Sequence, residues 1–184
     1  DFIRSFDASE FPTRIAAEVK GFEPDEKPLP DCERTALKFD RKSSFGFAAA
    51  REAVAAAFGA EPVDLRYERR RIGLIAAAGL EIFDLNDLMP IFKAGTVDGA
   101  ALLERLGSTP VYSNFQIPSD MGARAIGRYI GAQGPFHVNV SACAAGTQAL
   151  GQAFFSVRDG AADAVVAGGY DSMINPLGVG GFCM

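Results

Sequence analysis

The chain predicts an α/β layered domain, with helices alternating with buried parallel strands. Two apolar runs carry the strands, Ile72-Gly-Leu-Ile-Ala-Ala-Ala78 and Ala164-Val-Val-Ala167. Both are short, and neither shows the polar alternation of a strand that faces water on one side. Alanine-rich stretches before and between them have helical character. At 184 residues, with 48% hydrophobic and 22% charged residues, the chain can build one domain with a substantial core.

In chain order, residues 1–40 form a loop-rich stretch punctuated by Pro12, Pro24, Pro28 and Pro30, in which only residues 14–19 suit a short strand. A helix follows from Asp40, through the run from Lys42 to Val54. Alanine is the best helix former, so propensity and pattern agree there, and Gly59 supplies the stop. Residues 71–78 predict a buried strand. Between Leu80 and Gly107 the pattern is ambiguous, with one helix over residues 98–106. Residues 120–131 predict a second long helix, and Pro135 announces a strand over residues 136–141. A helix from Ala144 to about Arg158 comes next, and Asp159-Gly160 turns the chain into the last strand, which ends at Gly168-Gly169. There is no internal repeat or low-complexity segment.

Composition excludes several functions. With 23 acidic and 18 basic residues the net charge is −5, the wrong sign for a nucleic-acid binder. No apolar run reaches the roughly 18 residues of a membrane helix, and the opening Asp1-Phe2-Ile3-Arg4 is no signal peptide. That opening, without an initiator methionine, is expected of a chain that begins inside a longer product. Cys32, Cys143 and Cys183 are widely spaced, with no Cys-x-x-Cys, which argues against a zinc site or a disulfide framework. A reducing, cytoplasmic compartment is the default for such a set.

The chemistry concentrates in the stretch from Val138 to Gly151. A strand delivers Cys143 to a sharp turn, and a helix begins directly after it. Unpaired N–H groups in the first turn of a helix favour an anion, and the thiolate is the form of cysteine that attacks. The Cys143 N–H is also placed to stabilise an oxyanion on a thioester carbonyl. Ala142, Ala144, Ala145 and Gly146 leave room at the sulfur. The helix shows no clear polar face, as expected of one buried between layers. On spacing alone, a lone cysteine between strand and helix is more often a small buried hydrophobe. His137, the sole histidine, fits a packed strand or an interface better than a catalytic base.

The segment Ser141-Ala-Cys143-Ala-Ala-Gly146-Thr147 resembles the active-site motif of the β-ketoacyl synthases. The likeness continues through residues 160–169 and through Asn175-Pro176-Leu177-Gly178-Val-Gly180-Gly181-Phe182. Upstream it includes residues 6–16, Phe39-Asp40 with the alanine-rich helix, and residues 131–135. Only residues 57–117 match loosely, since Ala76-Ala77-Ala78-Gly79-Leu80 replaces a glycine-rich turn. The resemblance implies the thiolase-type fold, with this chain as the N-terminal half of a five-layer αβαβα architecture. The opening strand and the C-terminal half would then lie outside it.

It further implies a decarboxylative Claisen condensation, with Cys143 acylated from a carrier-protein thioester and malonyl carrier protein supplying the enolate. No cofactor or metal is implied. The family's two catalytic histidines and its assisting lysine would lie beyond Met184. Phe182, with Met173, is implied as lining of the acyl pocket, the alternative being ordinary core. The glycines at 178, 180 and 181 suit a backbone turn, since no Lys-Ser/Thr follows as in a phosphate loop. Acyl carrier protein is expected to dock near Arg34 and Lys38, with Arg41 and Lys42 as secondary candidates, while Arg66, Arg69, Arg70 and Arg71 serve structure. A homodimer, or a heterodimer with a ketosynthase-like partner, is expected through the strand over residues 136–141. Two alternatives stay open: an accessory, chain-length-factor-like subunit, and a coenzyme-A-dependent relative of the thiolases. The retained Cys143 disfavours the first, and Pro176-Leu177-Gly178 disfavours the second.

Overall fold

A computed structural model describes residues 1–23, 29–59, 62–79, 92–93, 96–108 and 119–184. The chain divides into two compact units. The larger comprises Pro24–Leu80 and Ile117–Ser172, and the smaller comprises Asp1–Glu23, Glu81–Gln116 and Met173–Met184.

The larger unit is organised by strand β1 (Ile72–Ala78), which is buried along its whole length. It pairs in parallel with β4 (Phe136–Asn139) on one side and β5 (Ala164–Tyr170) on the other, giving the order β4-β1-β5. A central strand covered on both faces has no position for a polar residue, which is why it reads as an unbroken apolar run. Ile72, Leu74 and Ala76 point to one face. There they join Phe47, Ala50 and Val54 of helix α2 (Arg41–Phe58) and Ala123, Ile126 and Ile130 of α5 (Met121–Ile130). Ile75 and Ala77 point to the other face, against Ala145, Ala149 and Ala153 of α6 (Ala145–Arg158). The result is a helix–sheet–helix sandwich. Leu37, Phe47, Ile72, Leu74 and Ile75 are at most 1% exposed, and full burial of such side chains contributes roughly 1.5–3 kcal/mol each.

Small residues set how closely the layers approach. Tyr170 at the end of β5 lies across α2 and α5, and a Cβ at Gly46 would stand 2.5 Å from its ring. At Gly122 a Cβ would stand 2.5 Å from the Ser43 hydroxyl and 2.9 Å from that of Tyr170. Burial, reinforced by the charge of Asp40, pushes the Tyr170 phenol up, so it stays neutral. Asp40 accepts from the Ser43 hydroxyl and pairs with Lys42 at 2.9 Å. At the opposite end of the sheet Arg71 forks onto Asp163 and donates to the Gly160 carbonyl at 2.6 Å, tying β1 to the start of β5.

The smaller unit is built more from hydrogen bonds. Phe2 and Ile15 form an isolated antiparallel bridge, and the Glu18 carboxylate accepts the N–H groups of Arg4 and Ser5 at 2.9 and 2.8 Å. A short antiparallel pair, β2 (Phe92–Lys93) and β3 (Thr96–Val97), precedes α4 (Gly99–Ser108). Asp98 starts that helix by accepting from the N–H groups of Ala100 and Ala101. Helix α7 (Pro176–Phe182) is capped by Asn175, whose side chain accepts the Gly178 N–H at 2.8 Å.

Most elements fall where the pattern puts them. The strand expected over residues 14–19 is reduced to the single bridge at Ile15. Helix α1 (Asp31–Phe39) occupies the end of the stretch expected to be loop. It starts directly after Pro30, with Asp31 and Glu33 in its first turn and Lys38 in its last, the polarity that suits a helix dipole. A short helix, α3 (Val63–Arg66), was likewise not expected. Residues 178–181 are helical and do not form a turn, because Asn175 and Pro176 supply a start that outweighs the poor propensity of glycine. The expectations for residues 80–91 and 109–118 lie outside the described residues. Among the described residues, no helix is long and apolar enough to cross a membrane.

Candidate functional site

All three strands of the sheet run parallel, so their C-terminal ends share one edge, which is where ligands bind in open α/β sheets. β4 ends at Asn139, two residues earlier than expected, because the chain then bends into a 3-10 turn over Ala142–Ala144 and directly into α6. Cys143 is the middle residue of that turn and is exposed. The preceding Ala142 has φ 50°, the only positive value on a described non-glycine residue. Left-handed backbone costs such a residue on the order of 1–3 kcal/mol and persists only where its surroundings enforce it.

Helix α6 is fastened by small residues at four-residue intervals. Ala145, Ala149 and Ala153 pack on Ile75 and Ala77, bringing the helix close to the sheet and its N-terminus to the strand-end edge. Within this chain by itself the other face is uncovered. Leu150, Phe154, Phe155 and Val157 are between 46% and 63% exposed. His137 and Asn139 share register with Ile75 and Ala77, and so lie on the α6 side of the sheet. The Asn139 and Gln152 side-chain amides pair reciprocally, at 3.1 and 3.4 Å. Ser141 donates to Oε1 of Gln148. One further group stands at this edge of the sheet. The Asp171 carboxylate lies over Gly79, whose added Cβ would meet it at 2.0 Å, and it accepts the Ser172 N–H at 2.7 Å.

The other expected site residues fall as follows. Met173 and Phe182 belong to the smaller unit, Cys143 to the larger. Met173 is half-buried, and its carbonyl accepts the Asn175 N–H at 2.9 Å. Phe182, the last residue of α7, is 76% exposed. Arg34 and Lys38 lie on α1. Arg34 is half-buried and pairs with Asp31 one turn earlier, while Lys38 is exposed in the last turn. Arg41 lies over the Phe45 ring at 4.9 Å. Lys42 is a correction: its side chain is only 11% exposed and is held by Asp40, so it offers little to a partner. Arg66, Arg69 and Arg71 serve structure, over the Phe58 ring and against Asp64 and Asp163. Among the described residues, no group of three or more His, Cys, Asp or Glu is placed to hold a metal ion.

Sequence reasoning passed over Asn139, Ser141, Gln148 and Gln152. Their signal was present: two polar residues two apart at the end of a strand, then two glutamines four apart on the helix that follows. Each spacing puts its pair on one face.

Residues 3–184 match the family model described as β-ketoacyl synthase, N-terminal domain. The chain is 33% identical over 185 residues to a putative oxytetracycline polyketide β-ketoacyl synthase of Streptomyces rimosus. It is 32% identical over 183 residues to 3-oxoacyl-[acyl-carrier-protein] synthase 2 of Synechocystis. Each alignment covers 98% of this chain and 40% of the relative, so the chain spans about two fifths of the length of these proteins. A solved type II polyketide ketosynthase, in complex with its acyl-carrier protein, superposes with a TM-score of 0.57 at 29% identity. It covers 79% of this chain and 35% of that one. The parallel sheet between helices has the architecture of that ketosynthase fold, and with a family match running from residue 3 to residue 184 the chain belongs to the β-ketoacyl synthase family, as its N-terminal domain.

Proposed function

We propose that the protein containing this chain is a condensing enzyme that extends acyl thioesters in fatty-acid or polyketide synthesis, with Cys143 as its nucleophile. The observation that carries this is the exposed Cys143 at a strained strand-to-helix turn, on the ligand-binding edge of a parallel sheet. Its thiolate sulfur attacks the carbonyl carbon of an acyl group held as a carrier-protein thioester. The Cys143 N–H stabilises the oxyanion. The carrier leaves as a thiolate, which takes up the proton given up by the Cys143 thiol, and the acyl group remains on Cys143. A malonyl thioester then loses carbon dioxide, and its enolate carbon attacks the acyl carbonyl and expels the Cys143 thiolate. Cofactor chemistry has no step to fill in this sequence.

The partner proposed is acyl carrier protein, which a related ketosynthase binds in its solved complex. Lys38 and Arg34 on α1 are the docking cations, and an acidic carrier held by exposed charges should release as ionic strength rises. Acyl-pocket lining is proposed for Phe182 and Met173. Dimerisation is proposed through β4, an outer strand of the sheet, with an identical or ketosynthase-like subunit. A reducing cytoplasm suits a free Cys143 thiol.

The test is to incubate the full-length protein with acyl-loaded carrier protein and map the acyl group by mass spectrometry. The acyl group is expected on Cys143, and Cys143→Ala should abolish both acylation and condensation. Acylation mapped to Cys32 or Cys183, with Cys143→Ala still active, would remove the assignment.

A further inference from the structure

A strand that runs up to a turn and a helix that runs back down can be tied together only where their rises match. Two residues of extended chain span at most about 7 Å, and four helical residues advance about 6.0 Å. Asn139 ends β4 and Ser141 lies two residues on, just before the 3-10 turn, while Gln152 and Gln148 are four apart on α6. The structure joins them as two successive rungs, Asn139 to Gln152 and Ser141 to Gln148. The lower rung is anchored to the middle of the sheet, since the Asn139 amide also reaches the Ala76 carbonyl at 3.5 Å. Above the upper rung lie the turn residues Ala142, with its φ of 50°, Cys143 and Ala144, and the first three residues of α6.

We propose that Gln148 and Gln152, through Ser141 and Asn139, are positioning residues that hold the Cys143 turn in its strained form at the start of α6. The proposal rests on Cys143 being the nucleophile. The flanking residues cannot hold the turn by themselves. Ala142 and Ala144 are exposed and carry only methyl groups, and Gly146 has no side chain. Helix packing through Ala145 and Ala149 places α6 on the sheet. The rungs add a fixed register, because each joins one position before the turn to one helix position. None of the four residues touches the reacting carbonyl in this account, so each acts through Cys143.

The experiment measures the rate of Cys143 alkylation by iodoacetamide in the full-length protein under native conditions, beside the thermal midpoint of each variant. Ser141→Ala, Gln148→Leu and Gln152→Leu are each expected to slow alkylation about five-fold, the factor that one ordinary hydrogen bond carries, with the thermal midpoint held. Ser141→Thr keeps a hydroxyl and should restore the rate. Adding Ser141→Ala to Gln148→Leu should bring no further loss, because both remove the same rung. Unchanged rates in all three single variants, or losses that follow the thermal midpoint and survive in Ser141→Thr, overturn the proposal. Peptide mapping of the wild-type adduct separates the two readings. Label on Cys143 with unaffected variants sinks only the positioning role, and label elsewhere sinks the nucleophile assignment and this inference together.

Discussion

Alanine at 149 and glycine at 46 are the residues on which the two helical layers close. Ala149 is wholly buried between α6 and the sheet. Ala149→Leu adds volume where a well-packed interior has none, and is expected to cost about 1–3 kcal/mol, read as a lower urea midpoint. It should also slow alkylation of Cys143 by lifting the first turns of α6. On the opposite face, Gly46→Ala would drive a methyl group to 2.5 Å from the Tyr170 ring. Its expected loss is of similar size, again about 1–3 kcal/mol. Removing the obstacle with Tyr170→Ala in the same protein should make the pair less damaging than the sum of the two changes, the signature of residues in contact. Strict additivity in that cycle would contradict the packing described. Both residues were visible in the sequence only as small, since an alanine or a glycine does not say what it faces.

The elements differ in how plainly the sequence announces them. α2 and β1 are legible because propensity, periodicity and burial agree. β5 runs on through Gly168 and Gly169 to Tyr170 because Ala76, Ala77 and Ala78 pair with it, so register with a neighbour outweighs a pair of residues that usually break a strand. α1 and α7 begin at Pro30-Asp31 and Asn175-Pro176, start signals outweighed in the sequence reading by nearby prolines and glycines. The pairing of β1 with β5 also has a pH signature. Hydrogen bonding to Arg71 holds the Asp163 carboxyl below its ordinary range. A carboxyl lowered by folding stabilises the native state fully above its unfolded pKa, and that contribution is lost as pH falls through the folded pKa. Asp163→Asn should therefore lower the thermal midpoint at neutral pH and leave it unchanged at the acid end of the profile. A constant difference across that range would show that the ion pair is not responsible.

For the molecule as a whole, the uncovered apolar face of α6 and the outer position of β4 are the dominant features. Leu150, Phe154, Phe155 and Val157 present one stripe of exposed apolar surface, and such patches drive association. Residues 1–184 expressed alone are expected to self-associate in light scattering and to show no condensation. Loss of a single positioned donor typically slows a reaction about 10²–10³-fold, and neither of the two catalytic histidines that the family resemblance implies is His137, the one histidine of this chain. A soluble, monomeric fragment condensing at the full-length rate would overturn that view. In the full-length protein, Val140→Asp probes the proposed dimer edge. Val140 is 48% exposed, whereas Val138 packs against the core and would report on folding instead. A dimer that persists in Val140→Asp would argue against the β4 interface.

By itself the sequence determined the class of fold, the order of its main strands and helices, the family, and Cys143 as the residue to watch. Each depends on local chemistry, since apolar runs become buried strands, alanine runs become helices, and a motif keeps its spacing whatever surrounds it. Tertiary structure alone decided that β1 lies at the centre of the sheet, that α6 rests on it through three alanines with its other face bare, and that Ala142 is strained. It also brought Asn139 and Ser141 to Gln152 and Gln148 and withdrew Lys42 into a pair with Asp40. The place of β1 and the seat of α6 depend on packing between parts of the chain far apart in sequence, while the polar pairs are close in sequence but chosen by the turn, which residue type alone does not specify.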